Sequence, residues 1–225
     1  MHAIVTGGRG GLGRALVSEL AQHYNVTIWD LPNVDVTSTQ SIRNAITALK
    51  GAHVDLLVNC AGVNVVNYLK DLTPTQWHKV MAVNATGIYN TVHALLPLLR
   101  DGTVCNIISN ASHVPMTASI AYNASKAAAH MMTRQMAHEL FVTDRIIVFG
   151  VSPNRLAGTA MSSSVDAQVS KVRGWTWDEV KAKQTSSLPV GAETPINAVA
   201  ELVGWLLTEK ARHYYLHGCI LPYGS

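Results

Sequence analysis

A chain of 225 residues, 48% hydrophobic and 14% charged, can bury a full core and is too apolar to remain disordered. Its net charge of +3 is spread over scattered Lys and Arg, without the basic run that a nucleic-acid surface needs. Cys60, Cys105 and Cys219 are odd in number and far apart, so reduced thiols are expected rather than a disulfide frame or a zinc site.

In chain order, HAIVTG reads as a strand and LGRALVSELAQHY as an amphipathic helix with Leu12, Leu16 and Leu20 on one face. NVTIWD is a second strand, SIRNAITALKG a helix, and VDLLVNCAG a strand followed by a turn. The spacing then predicts one long helix over 74–102, with Thr73 as N-cap and Pro74 at its start. TVCNIIS is a strand, YNASKAAAHMMTRQMAHELF a second long helix and RIIVFGVSP a strand. PINAVAELVGWLLTE supplies a helix and GCILPYGS a last strand. These strands are apolar throughout rather than alternating, as in a parallel sheet covered on both faces. The expectation is a single α/β domain over 1–225, a doubly wound parallel sheet flanked by helices, with its ligand at the C-terminal strand ends. The irregular stretch 154–193 would form a loop-and-helix lid over a substrate.

The N-terminal MHAIVTGG enters the first strand at once, leaving no room for a signal peptide, and the longest apolar runs are too short to span a bilayer. A cytoplasmic protein without membrane or nucleic-acid partners is expected. The ten histidines are dispersed without ligand spacing, so no metal is expected.

Three constellations carry chemistry. TGGRGGLG lies between a strand and a helix, where glycines let the backbone approach a pyrophosphate at a helix N-terminus; a plain glycine-rich turn has the same composition. Asp30 ends the second strand, where a carboxylate can accept both ribose hydroxyls of NAD and repel the extra phosphate of NADP; strand-end turns also favour aspartate. Arg9, within the glycine turn, could instead bind that phosphate. Tyr122 and Lys126 stand at i and i+4 on one helix face. At ~4 Å and an effective dielectric near 20, the ammonium would favour the phenolate by roughly 4 kcal/mol. That would bring a phenol from about 10 toward neutral pH. A surface tyrosine beside a solvated lysine shows the same short pattern.

Together these features resemble the short-chain dehydrogenase/reductase family, in order along nearly the whole chain. Thr6, Gly7, Gly11 and Gly13 match its TGxxxGxG, and NCAG at 59–62 is similar to its NNAG, with Cys60 in place of the second Asn. VMAVNATG supplies Asn84, and NIIS supplies Ser109, thirteen residues before Tyr122. The resemblance implies a Rossmann-like fold and an NAD(P)-dependent oxidoreductase interconverting a secondary alcohol and a ketone. It further implies that Tyr122 exchanges the proton, that Lys126 lowers its pKa and holds the nicotinamide ribose, that Ser109 binds the substrate oxygen, and that Asn84 anchors a water leading to Lys126. Ser112 rivals Ser109, and Asn84 could be a helix-packing residue.

Coenzyme contacts implied by the resemblance are Gly7, Arg9, Gly11, Leu12 and Gly13 in the glycine turn, and Asp30 with Leu31 after the second strand. Asp35 and Val36 resemble the adenine-binding pair but follow Asp30 unusually soon, so the β2–β4 region should be shortened at that sheet edge. Asn59, Ala61 and Gly62 come from NCAG, joined by Tyr122 and Lys126. SPNRLAGTAM resembles PGxxxTxM and adds Pro153, Leu156 and Thr159; Asn154 replaces its glycine, a position where Asn tolerates positive φ.

NAD(H) is favoured, with NADP(H) the alternative. Asn110, Ser112, His113, Met161 and Trp175 are candidate substrate contacts, with Trp177 and Tyr68 as further lid or wall residues; the tryptophans could equally be core or subunit contacts. The helices carrying Asn84 and Tyr122 look apolar on more than one face, as a homodimer or homotetramer interface requires. The rival to an enzyme is a cofactor-binding regulatory or scaffold protein of the same fold.

Overall fold

Apolar runs without alternation become strands, buried throughout in the middle of the sheet and partly exposed at its two edges. They are β1 (His2–Thr6), β2 (Asn25–Trp29), β3 (Leu56–Asn59), β4 (Thr103–Ile107), β5 (Ile147–Pro153) and β6 (Ile220–Tyr223). The structure, a computed structural model, describes residues 1–208 and 214–224. Glu209 and Ser225, the expected ends of the last helix and strand, lie outside the described residues. All neighbouring strands pair in parallel, in the order β2-β1-β3-β4-β5-β6. The chain leaves β1 in opposite directions to reach β2 and β3, so a crevice opens at their C-terminal ends. β2 forms the outer edge there, which is the expected trimming.

One face of the sheet is covered by α1 (Gly11–Leu20) and α8 (Ile196–Thr208). The predicted stripe Leu12, Leu16 and Leu20 is buried there against Val199, Val203 and Leu206. The other face packs under α2 (Thr39–Ala48), α4 (Gly87–Leu95) and α5 (Ile120–Asp144), around Ile4, Trp29, Leu57, Leu95 and Val148. Each such fully buried aliphatic contributes about 1.5–3 kcal/mol. Within 154–193 the chain forms α6 (Ala160–Arg173) and α7 (Trp177–Ser186), over a small core of Val66, Val169 and Val180.

The helix expected over 74–102 is not continuous. α3 (Pro74–Met81) starts as predicted, with Thr73 and Gln76 closing a capping box around Pro74. A π turn over Ala82–Thr86 then leads to α4, and a 3₁₀ turn over Leu96–Leu98 ends the run at Pro97. Inside the π turn, the Asn84 side chain accepts from the Val63 N–H at 2.8 Å and donates to the Val63 carbonyl at 2.9 Å. Two bonds to a loop outside the helix thus accompany the change in helical pitch.

A buried polar chain ties both layers together. Thr91 Oγ1 donates to Asn59 Oδ1 at 2.8 Å, Asn59 Nδ2 to Asn106 Oδ1 at 2.9 Å, and Asn106 Nδ2 to Thr133 Oγ1 at 2.9 Å. It links α4, β3, β4 and α5, with every member satisfied, as buried polar groups require. Among the described residues no helix is long and apolar enough to cross a membrane.

Candidate active site

The glycine turn is built by close approach. Gly7 has φ +65°, and a Cβ there would lie 2.7 Å from the Ala61 Cα; one on Gly13 would lie 2.0 Å from the Gly7 carbonyl oxygen. Thr6 Oγ1 accepts from the Cys60 and Ala61 N–H groups at 3.1 Å, holding the turn after β3 against it. Gly10 caps α1 without a side-chain bond, and the first turn of α1 carries no acid. Its N–H groups and dipole therefore stay available to an anion.

Asp30 lies at the end of β2, facing the same crevice. Its Oδ2 accepts from the Arg9 N–H and its Oδ1 from the Leu31 N–H, both at 2.8 Å. The Arg9 guanidinium points elsewhere, donating to the Leu31 carbonyl at 2.8 Å, and it does not line the crevice.

The crevice holds about 830 Å³. Gly7, Gly11, Leu12, Gly13, Asp30, Leu31, Asp35 and Val36 line it. So do Ala61, Gly62, Pro153, Leu156 and Thr159, together with Tyr122, Lys126, Ser109, Asn110, Met161 and Trp175. Volume and cradle fit a nicotinamide dinucleotide: glycine backbones sit where a Cβ would intrude, and the Asp30 carboxylate follows the end of β2 in the same crevice.

Tyr122 enters on the first turn of α5, and Lys126 follows one turn later with Nζ 5.9 Å from the Tyr122 ring centroid. Lys126 Nζ donates to the Ile107 carbonyl at 2.9 Å, at the end of β4. Ser109, two residues further, accepts from the Ala111 N–H at 3.2 Å and reaches the phenol of Tyr122, where its hydrogen bond favours the ionised form.

The electrostatics correct one expectation. Burial pushes the Tyr122 phenol up, outweighing the pull of Ser109, and the Cys60 thiol adds to the rise. Lys126 does not lower it here, because its ammonium is turned to Ile107 and is itself drawn down to about 8 by burial, against a smaller opposing effect of Cys60. The Cys60 thiol is pushed up to about 12, chiefly by burial.

Other expected contacts point away from the crevice. Asn59 spends its side chain on Asn106 and Thr91. Asn84 is fully buried, and both its N–H donors are taken, by Val63 and by Ser125 Oγ at 3.0 Å. The side chain thus ties the loop after β3 to the first turns of α5. Ser112 contacts the ring nitrogens of His113 and His130 at 3.2 Å, and neither Ser112 nor His113 reaches the crevice. Tyr68 and Trp177 are exposed and outside it.

Asn154 takes no positive φ. Its Oδ1 accepts from Asn110 Nδ2 at 2.8 Å and its Nδ2 donates to the Gly224 carbonyl at 3.0 Å, so it ties β4 to the chain end. Sequence reasoning missed Arg155, Arg173 and Lys183, which line the crevice from the 154–193 excursion. No local pattern marks them, because only the fold of that excursion turns them inward.

The family model described as short chain dehydrogenase matches residues 29–170, more than half of the chain. The chain belongs to the short-chain dehydrogenase/reductase family. The matched segment carries Asp30, Ser109, Tyr122 and Lys126. This family member is an NAD(P)-dependent oxidoreductase. It is 26% identical to a sorbitol-6-phosphate 2-dehydrogenase of Klebsiella pneumoniae, over 93% of this chain and 90% of that protein. It is also 26% identical to an L-2,3-butanediol dehydrogenase of Corynebacterium glutamicum, over 94% and 93%. Its fold superposes on NAD+-bound xylitol dehydrogenase with a TM-score of 0.88 at 22% identity, covering 98% of this chain and 96% of that one.

Proposed function

We propose that this oxidoreductase interconverts a small secondary alcohol and its ketone, with NAD(H) favoured over NADP(H). The reading rests on one observation above all: Ser109, Tyr122 and Lys126 meet on one wall of a crevice whose far end is a glycine cradle. Asp30 supports NAD(H), since a carboxylate at the ribose disfavours a further phosphate while the Arg9 guanidinium is turned to Leu31.

When bound, the nicotinamide coenzyme supplies or accepts the hydride. In the reductive direction Tyr122 Oη gives its proton to the ketone oxygen. Ser109 Oγ donates a hydrogen bond to the same oxygen and stabilises the charge that develops there. In the oxidative direction the phenol must ionise first, a form that the hydrogen bond of Ser109 favours, while Lys126 would hold the nicotinamide ribose. Because burial keeps the phenol protonated, Tyr122 stands ready as an acid at neutral pH. Asn84, bonded to Val63 and Ser125, holds the loop after β3 and the first turns of α5 in place.

The whole chain acts as one domain, with 154–193 as its lid. Subunits associate through the faces of α4 and α5, where Tyr89 and Met131 are 50% and 59% exposed. Replacing Tyr122 by Phe tests the mechanism. Turnover of secondary alcohols and ketones followed at 340 nm should fall by about 10³-fold, while NADH binding followed by fluorescence stays near that of the parent. Substantial remaining turnover would contradict the mechanism.

A further inference from the structure

Six charged side chains line the crevice, and they are sorted by sign. Asp30 and Asp35 lie in the segment after β2, Lys126 beside Tyr122, and Arg155, Arg173 and Lys183 in the 154–193 excursion. Arg155 is neutralised, by Asp166 Oδ1 at 2.7 Å and by Glu193. Arg173 and Lys183 form no ion pair among the described residues.

Both flank one indole. The Arg173 guanidinium lies 4.7 Å and Lys183 Nζ 4.8 Å from the Trp175 ring centroid. Arg173 gives one bond, to the Thr117 carbonyl at 2.8 Å, and its Nε is buried without any hydrogen-bond partner. Glu179 stands one turn back from Lys183 on α7, and its carboxylate accepts from the Thr176 N–H at 2.8 Å and hydroxyl at 3.0 Å. Two cations and a buried, unsatisfied donor thus flank one aromatic ring, and among the described residues no acid other than Asp30 and Asp35 lines the crevice. An anion delivers what that wall lacks.

The coenzyme phosphates belong elsewhere. Thr159, at the N-terminus of α6, sits 3.0 Å from the position of a Cβ on Gly11, whereas Arg173 ends the same 14-residue helix. Such a helix is about 20 Å long. Val66 and Val169, packed with Trp175, provide apolar wall beside the cations.

We propose that the alcohol or ketone carries an anionic group, phosphate or carboxylate, remote from its reacting carbon and held by Arg173 and Lys183. This deepens the function proposed above and rests on it.

The NADH-loaded protein should be offered matched ketones with and without the charge: fructose 6-phosphate against fructose, dihydroxyacetone phosphate against dihydroxyacetone, and 4-oxopentanoate against 2-pentanone. In at least one pair the charged member should be favoured about 100-fold in kcat/KM, the phosphate and carboxylate arms telling the two anions apart. Arg173→Gln and Lys183→Gln should each cut that ratio at least tenfold; Lys171→Gln, which removes an exposed charge of α6 outside the crevice, should leave it intact. Ratios near one in every pair, or ratios that survive both variants, overturn the proposal. So does a tenfold loss of NADH affinity in the variants, which would assign the cations to the coenzyme.

If none of the ketones turns over, the oxidoreductase reading has failed for these substrates, and calorimetry decides the inference separately. Fructose 6-phosphate, dihydroxyacetone phosphate or 4-oxopentanoate should bind the NADH-loaded protein and lose that affinity in Arg173→Gln. Absent binding, or binding the variant does not weaken, overturns the proposal.

Discussion

Lys126 is only 5% exposed, and its ammonium donates to the Ile107 carbonyl. Burial draws its pKa from 10.5 to about 8, a gap equivalent to about 3 kcal/mol. The folded form therefore binds fewer protons than the unfolded chain between pH 8 and 10.5. Below pH 8 the buried ammonium opposes folding in full, and the penalty fades as pH rises through that window. Lys126→Met should accordingly melt higher than the parent at pH 7, and the difference should shrink toward pH 10. A difference independent of pH would contradict this assignment. Tyr122 and Lys126 could be found in the sequence because a helix brings i and i+4 together whatever surrounds it. The direction of the Tyr122 shift could not, since desolvation depends on walls supplied by β3, β4 and the lid. For the same reason Ser109 was legible from its distance to Tyr122, whereas the turning of Ser112 and His113 away from the crevice follows from the 3₁₀ turn after β4.

Among the elements, the glycine turn and α1 have the least tolerance. Gly13 stands where a Cβ would meet the Gly7 carbonyl at 2.0 Å, and Gly10 where it would meet the same atom at 3.3 Å. Gly13→Ala must displace backbone, so NADH affinity should drop at least 100-fold, with a melting temperature several degrees lower. Gly10→Ala, at φ −72°, needs only a slight shift and should lose far less in both measurements. Equal losses would show that helix packing does not govern the cradle. This element was legible because the demand is local: a turn of this kind leaves no room for side chains. The π turn was not. Hydrophobic spacing over 74–102 fits an unbroken helix, and nothing in it announces that Asn84 will bond to Val63 across the chain. The missing sheet edge, by contrast, was visible as too few residues between Asp30 and Asp35.

At the scale of the molecule, the 154–193 excursion is fastened by charge rather than by a large apolar core. Asp166 is fully buried between Arg155 and Lys181, with Nζ of Lys181 2.8 Å from its Oδ2. Removing Asp166 would leave the largely buried Arg155 with Glu193 as its remaining carboxylate partner, at a cost of up to about 3–5 kcal/mol. Asp166→Asn should therefore speed amide exchange across 160–186 and raise KM, while α1 and the central strands keep their protection. Uniform loss of protection would mean that the lid and sheet unfold as one. The sequence marked 154–193 as irregular but not as bound down, since Arg155, Asp166, Lys181 and Glu193 are spread too widely to form a pattern.

The Thr91–Asn59–Asn106–Thr133 relay has a consequence for precision. Tyr122 rides on α5 and Ser109 follows β4, so their separation depends on how far that helix can slip along the strand. A slip of one residue displaces a helix by about 1.5 Å, which would break the Asn106–Thr133 bond in a place water cannot mend. The relay thus works as a dowel pin, indexing Tyr122 to the rigid middle of the fold and leaving the loops free to vary.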